Sequence, residues 1–524
     1  MSKGAADRIV RGTVVTWLKL GVTVLAQIVA TPAYLYYWSA ETYGAWLAIV
    51  TAVNMLQIPG TSFQTYSGYE MMRESAKDRT QFSIYLRSAV RLGGVYGLFE
   101  LGVAFIISLT MVPLILGRDA SPELIRDAAQ AFFFTALGSG LVWNWGGMWV
   151  RGASAVGHFS RWAWWGVLDA LVKVGAPLLV LPLGWGMGKV AIFLSCTLIL
   201  LHQMTLWDMR KVVRIHMDPE ARPNWILAWN ALKRAQVLSL KSTLEMFRRQ
   251  GIRLILAPML GMRELAAFAT MRTGANAALQ GLATLTSPLM PELMRFLAKR
   301  DQARSDAAMA TVWMVVVAAM APGVVVLQLF IVDLFHWWTH GKVPFNPVLF
   351  AIISSSVLVF SAAQPATSVV VGNNLVRAQL MNSVYASGTL ISLTFLLVPH
   401  FGIMGAGIAL LCSELVSTTG FRIIARRWLA DKGLRWPSKL AWLAAAGVLI
   451  SIGATVLIAC LPSKKWMVFA AYVPAILYDI VLYWKNLPGV AVNRAKELFG
   501  KLPVIGSMAN CLMGLKAAKA GTTQ

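Results

Sequence analysis

The sequence predicts an all-α, polytopic membrane protein of about 14 transmembrane helices, arranged as two six-helix pseudo-symmetric halves plus two extra helices. The first observation behind this is composition. Of the 524 residues, 57% are hydrophobic and 13% charged, and mean hydropathy is +0.62, whereas a soluble domain carries about 25% charged residues. The second is that apolar stretches of about 20 residues, enough to cross a bilayer, recur along the chain. The third is that Lys and Arg collect in alternate loops. A formal charge of +24 would point a soluble protein toward nucleic acid, but in a membrane protein it reports the side on which cations gather, so no nucleic-acid partner is expected.

The spans are expected to begin near residues 12, 41, 83, 126, 162, 188, 236, 264, 309, 345, 379, 403, 439 and 465. The N-terminal MSKGAADRIVRG is basic, but the apolar run after it is too long for a signal-peptide core, so it stays as helix 1. Span 2 opens on ETYGAW, span 8 leaves through Pro288 and Pro291, and span 12 opens on FGIMGAGIA. Span 7, residues 238–261, is charged enough that hydropathy alone would miss it. The organisation is then a six-helix bundle over 1–208, a cytoplasmic linker over 209–235, a second six-helix bundle over 236–428, a helix pair over 439–484 and a cytoplasmic tail over 485–524. The tail pieces AVNRAKELFGKL and MANCLMGLKAAKA mix apolar residues with Lys and Arg and read as interfacial helices anchored to anionic membrane lipids.

Orientation follows from the cations. With the N-terminus inside, roughly two-thirds of the 47 Lys and Arg fall in cytoplasmic segments, as the positive-inside bias requires. The inside clusters are Arg73, Lys77 and Arg79; Arg210, Lys211 and Arg214; Arg295, Lys299, Arg300 and Arg304; and Arg422, Arg426, Arg427, Lys432 and Arg435. The later clusters stay inside only if span 7 crosses, and both termini are then cytoplasmic.

A shift of 222 residues places Lys19 on Lys241, Glu70 on Glu292, Met72 on Met294 and Arg73 on Arg295. With one residue more, Glu41 meets Glu264, and PLGWGMGKVA from Pro182 resembles PHFGIMGAGIA from Pro399. Two halves with six spans each keep the same orientation and relate through an axis along the membrane normal, with a site expected between them near the midplane.

Span 7 carries the chemistry. At about 100° per residue, Lys241, Glu245, Arg248, Arg249 and Arg253 fall on one arc roughly 140° wide, with apolar residues on much of the rest. Charges at membrane depth are costly unless they face a bundle interior or a wet cavity. The competing reading is an amphipathic helix lying on the cytoplasmic surface. Arg272, two turns from either end of span 8, has no easy route for snorkelling and is expected to line a cavity. Lys19 on span 1 is the repeat-related companion of Lys241. Asp169 and Lys173 are spaced to pair on one helix face, and Glu245 can hold Lys241 or Arg249. Glu100 has no partner on its own helix, which makes it, with Asp169 and Glu245, a candidate for ion coupling. Arg87 and Arg91 lie near the cytoplasmic end of span 3 and can snorkel. His158, His202, His216, His336, His340 and His400 mostly fall near span ends, and Trp143, Trp145, Trp149, Trp162, Trp164 and Trp165 read as an interfacial belt.

No loop is long enough for a folded catalytic domain; the longest, around 208–233, is basic and carries Pro219 and Pro223. Cys196, Cys412, Cys460 and Cys511 lack metal-ligand spacing, so neither metal, cofactor nor enzymatic activity is expected.

The two six-helix halves with an extra pair, ETYGAW at span 2, the Pro288 and Pro291 exit and FGIMGAGIA at span 12 resemble the Wzx-type polysaccharide-biosynthesis flippases of the multidrug/oligosaccharidyl-lipid/polysaccharide (MOP) exporter superfamily. The resemblance implies alternating access in the inner membrane and a polyprenyl-diphosphate-linked glycan as substrate. It further implies the polysaccharide polymerase machinery as a partner. The family has no universal signature to carry over; the cationic stripe itself, since guanidinium groups suit a diphosphate, makes Arg248 and Arg249, supported by Lys241, Arg253, Arg272 and Lys19, the expected binders of that group. The peptidoglycan-precursor (lipid II) flippases rank second, since an arginine-rich helix 1 is typical of them and helix 1 here offers only Lys19. A multidrug cation antiporter ranks third, because it would want an acidic cavity.

Overall fold

The computed structural model describes residues 3–75, 77–117, 120–286 and 289–490, with the backbone alone for 3–14, 16–17, 277–286 and 289–292. The amphipathic tail from 491 onward, Pro288, Cys511 and the side chains of Pro291 and Glu292 therefore lie outside the described residues.

Every regular element described is helical. In chain order these are α1 (Lys3–Tyr37), α2 (Ala40–Leu56), α3 (Ile58–Ser75), α4 (Arg79–Thr110), α5 (Val112–Leu116), α6 (Pro122–Gly140), α7 (Trp143–Ala155), α8 (Phe159–Val180), α9 (Met187–Arg214), α10 (Trp225–Met246) and α11 (Ile252–Leu260). They continue with α12 (Met262–Thr286), α13 (Leu289–Ala298), α14 (Gln302–Val315), α15 (Ala321–Thr339), α16 (Pro347–Ala362), α17 (Gln364–Gly372), α18 (Val376–Phe401), α19 (Ile403–Asp431), α20 (Ser438–Cys460) and α21 (Lys465–Lys485). Starts are set by side-chain caps: Ser39, Asp78, Ser121, Asn224 and Asp301 each accept a backbone N–H of the first turn, satisfying donors that a helix end leaves open.

Among the described residues nine helices are long and apolar enough to cross a membrane, and the pair α16 and α17, bent by 50° beside Pro365, makes a tenth. The other four predicted spans coincide with α2–α3, α6–α7, α10–α11 and α12–α13, which fall short of that requirement for reasons visible in their residues. Helix α2 has 17 residues, α3 carries Gln64, Glu70, Arg73 and Glu74, and α10–α11 carries the charged stretch of span 7. Some of their polar groups are spent inward, as at Gln64, which is buried and donates to the Trp143 carbonyl at 3.1 Å. Outward, by contrast, Leu98, Phe99, Leu109, Leu179 and Leu200 are between 64% and 74% exposed, an apolar surface fit for lipid.

Matched positions of the repeat fall at matched places. Glu41 and Glu264 stand in the first turns of α2 and α12, and Gly184 and Gly402, both at positive φ, precede α9 and α19. The predicted linker is shorter than expected, because α9 runs to Arg214 and α10 starts at Trp225, leaving 215–224 as the connection.

By backbone packing the chain divides into two compact units, one of residues 1–280, 330–354 and 380–417, the other of 281–329, 355–379 and 418–524. In the first, α6 packs on α9, α3 on α7 and α10, and α1 on α8, around Phe63, Met71, Phe82, Leu86 and Met148. The α6–α9 approach depends on Gly138, where a Cβ would lie 2.5 Å from Ser195 Cα; small residues are how membrane helices come close without a hydrophobic drive between them. In the second, α20 packs on α21 and α14 around Met309, Trp313, Val317 and Tyr483. The Tyr483 hydroxyl donates to the Ala310 carbonyl at 2.9 Å and so ties the helix pair into this unit.

Candidate cationic site on α10 to α12 and α19

The stripe on span 7 meets a local interruption. Between α10 and α11, Phe247–Gly251 forms a wide π-type turn, and one such turn inserts an extra residue that rotates everything after it by about 100° relative to an unbroken helix. Gly251 permits it, since a Cβ there would lie 2.6 Å from Phe247 Cδ2. The predicted single arc is therefore split: Arg248 is buried, Arg249 exposed, and Lys241, Glu245 and Arg253 intermediate. A periodicity of 3.6 cannot foresee this.

Arg248 Nη1 donates to Glu414 Oε2 of α19 at 2.9 Å, with the two side chains 7% and 11% exposed. Behind it, Arg272 of α12, also buried, donates from Nη2 to the Arg248 carbonyl at 3.2 Å. Arg272 Nη1 and Arg253 Nε are buried with no hydrogen-bond acceptor among the described residues. Among the described residues Arg248 alone of these three pairs with a carboxylate, Arg272 spends one donor on a carbonyl, and two N–H donors, on Arg272 and Arg253, stand unspent where an unmet donor costs about 1–3 kcal/mol. Glu414, which the sequence marks only as one more intramembrane charge, is the missed member; its separation of 166 residues from Arg248 leaves no local pattern to find it by.

The other predicted residues are distributed among four further places. Lys241 Nζ stands 3.8 Å from Glu245 Oε1, one turn on along α10. Lys19 lies against α8, where a Cβ on Gly166 would be 3.2 Å from its Nζ, and it makes no ion pair with the Arg248 group among the described residues. Glu100, buried on α4, accepts from Asn144 Nδ2 at 3.2 Å. Glycines clear the space around it: a Cβ on Gly140 would be 3.0 Å from Glu100 Oε1, and one on Gly60 3.2 Å from Oε2. Asp169 accepts from Lys173 Nζ at 2.8 Å and from His202 Nε2 at 3.1 Å. His202 departs from the expected interfacial placement, being buried midway along α9 with its ring 4.9 Å from Trp143. The tryptophans divide likewise: Trp164 is exposed, but Trp149 is buried and Trp165 donates to Asp208 Oδ2 at 2.9 Å.

The arrangement is that of a helical, multi-pass membrane protein whose ionisable groups lie among its helices. Solved structures with this fold are transporters of the MOP superfamily. The lipid II flippase MurJ in an inward closed conformation superposes with a TM-score of 0.61 at 9% identity, covering 90% of this chain and 99% of that one. An inward-facing MATE family multidrug-resistance transporter gives 0.60 at 11% identity over 80% of this chain and 99% of its own. The Vibrio cholerae MATE transporter VcmN gives 0.56 at 13% identity over 81% and 98%. At such identities the likeness is one of fold. No protein-family model matches the chain, and no curated protein does.

Proposed function

We propose that this chain is a flippase of the inner membrane that moves a polyprenyl-diphosphate-linked oligosaccharide from the cytoplasmic to the outer leaflet, for surface polysaccharide synthesis. The observation that carries the reading is the buried Arg248–Glu414 pair with Arg272 hydrogen-bonded behind it, and buried donors of Arg272 and Arg253 left unspent. A diphosphate presents several oxygens at high charge density, and guanidinium meets phosphate through paired, charge-assisted hydrogen bonds. In the empty site Glu414 neutralises Arg248. As substrate enters past the exposed Arg249, its diphosphate replaces Glu414 as the partner of Arg248, so the buried cations exchange one anion for another and are not left bare. Rocking of the two six-helix halves then presents the same site to the other leaflet.

A second reading, transport of a peptidoglycan precursor, is favoured by one observation: the lipid II flippase structure covers 90% of this chain, against 80% and 81% for the two multidrug transporters. Both readings share a diphosphate-linked lipid. A cation antiporter is disfavoured because the Arg248 group carries more positive than negative charge. Mass spectrometry of the lipid-linked intermediates that accumulate when the protein is depleted decides between the first two. Accumulation of an oligosaccharide on polyprenyl diphosphate supports the first, peptidoglycan precursor supports the second, and an unchanged lipid pool overturns both.

A further inference from the structure

A second basic cluster shares no residue with the Arg248 group. Where α4, α7 and α9 meet the 215–224 connection, a cavity of about 570 Å3 is lined by Arg87, Arg91, Arg210 and Arg214 with Trp149 and Met217. The connection forms a firm wall. Arg79 Nη2 donates to the carbonyls of Ile215 and Met217 at 3.1 and 2.7 Å, and Arg87 to those of Asp218 and Pro219 at 3.1 and 3.0 Å, and to Ala221. In return the N–H groups of Asp218 and Asn224 donate to Ser83 and Ser88 Oγ, each at 2.7 Å.

With Arg87 occupied by that wall, three cations remain. Arg210 lies over the Trp149 ring, 5.6 Å from its centroid, which holds the guanidinium in place while its N–H edges stay free. Arg91 and Arg214 are exposed and make no ion pair or hydrogen bond among the described residues. Among the described residues no carboxylate lines the cavity; Asp218 in the wall accepts from the Thr80 hydroxyl at 2.8 Å. Like charges gathered without a counter-ion repel one another, and an anion entering relieves this. Close to the lining residues in sequence, Trp207, Ile215, Ile226 and Trp229 are between 51% and 73% exposed, large apolar and aromatic side chains of the kind that sit at head-group level.

We infer that this cavity binds a phosphate group, and that the exposed apolar side chains near it in sequence form a rim that favours a phosphate carried by a membrane-lipid head group over a soluble one. The guanidinium planes of Arg91, Arg210 and Arg214 supply the donors, and the rim receives the acyl chains. The test uses the full-length protein in detergent. Native mass spectrometry compares retention of phosphatidylglycerol and phosphatidylcholine, and calorimetry measures binding of inorganic pyrophosphate. Phosphatidylglycerol should be retained in preference. The Arg91→Gln, Arg214→Gln double variant should lose this roughly tenfold or more, and the corresponding double Lys variant should keep part of it. Pyrophosphate binding that the Gln variant loses, without lipid preference, overturns the membrane source. Equal phosphatidylglycerol retention by wild type and the Gln variant, at unchanged thermal unfolding, overturns the site.

Discussion

Arg248 of the interrupted span and Glu414 of α19 form a buried ion pair, 2.9 Å between Nη1 and Oε2. Removing one partner of such a pair leaves an uncompensated charge, at about 3–5 kcal/mol. Glu414→Gln should accordingly lower the unfolding temperature of the purified protein and abolish export. Exchanging the two residues, Arg248→Glu with Glu414→Arg, should restore part of the stability. Thermal unfolding in detergent reads this directly, and a Glu414→Gln protein as stable as wild type would show that the pair is not held in the membrane.

Arg249 differs from its neighbour in being exposed, so its loss should separate transport from folding. Arg249→Ala should express and unfold like wild type while losing a charge-assisted contact of about 1.5 to 3 kcal/mol, roughly ten- to a hundredfold in substrate affinity. Arg249→Lys should recover part. Flipping of a lipid-linked diphosphate in liposomes is the measurement, and wild-type rates for Arg249→Ala would remove this residue from the substrate path.

Glu100, sheltered by Asn144 and by Gly60 and Gly140 of two helices, is the coupling candidate whose substitution disturbs least. Glu100→Gln keeps the shape and an oxygen that Asn144 can still donate to, but it cannot release a proton. Transport in liposomes should lose its dependence on an imposed pH gradient. A variant that follows the gradient as wild type does places coupling elsewhere, with Asp169, Lys173 and His202 the next group to vary.

Topology is accessible to labelling. Met262 and Ser305, at the two ends of the span 8 region, are buried, whereas their neighbours Arg263 and Ala303 are exposed. Cysteine at 263 should react with an impermeant reagent from outside the cell, and cysteine at 303 only after the membrane is opened. Reaction of both from one side would mean that α10–α11 lies on the surface, and the repeat would fall with the fourteen-span order.

Asp218, in the connection after α9, accepts from the Thr80 hydroxyl at 2.8 Å and from the Glu220 N–H at 3.0 Å, which hold its carboxyl below its ordinary value. A depressed folded value stabilises above the unfolded one, about pH 4, and the contribution is lost as pH falls through the folded value. Amide exchange over 215–224, corrected for its intrinsic rate, should accelerate on that descent. Asp218→Asn should exchange with a flatter pH dependence; identical profiles would show that the carboxylate does not hold the loop.

The sequence by itself determined the helical, membrane-crossing class and the order of the helices. Both rest on local physics: runs of apolar residues long enough to meet a bilayer, capping residues such as Ser39 and Asn224, and glycines such as Gly184 and Gly402 where the backbone turns. It also marked Arg248, Arg272, Asp169 and Glu100 as costly where they stand, since the expense of a charge among apolar neighbours is visible along the chain. Only the tertiary structure decided their partners. Glu414 comes to Arg248 from a distant helix, His202 to Asp169 across α8 and α9, and Asn144 to Glu100 from α7, and pairings between helices follow from packing that no spacing encodes. The π-type turn at Phe247–Gly251 decided which arginine is buried and which is open. A single inserted residue re-aims all that follow it, and whether a helix accepts that insertion depends on the neighbours it packs against.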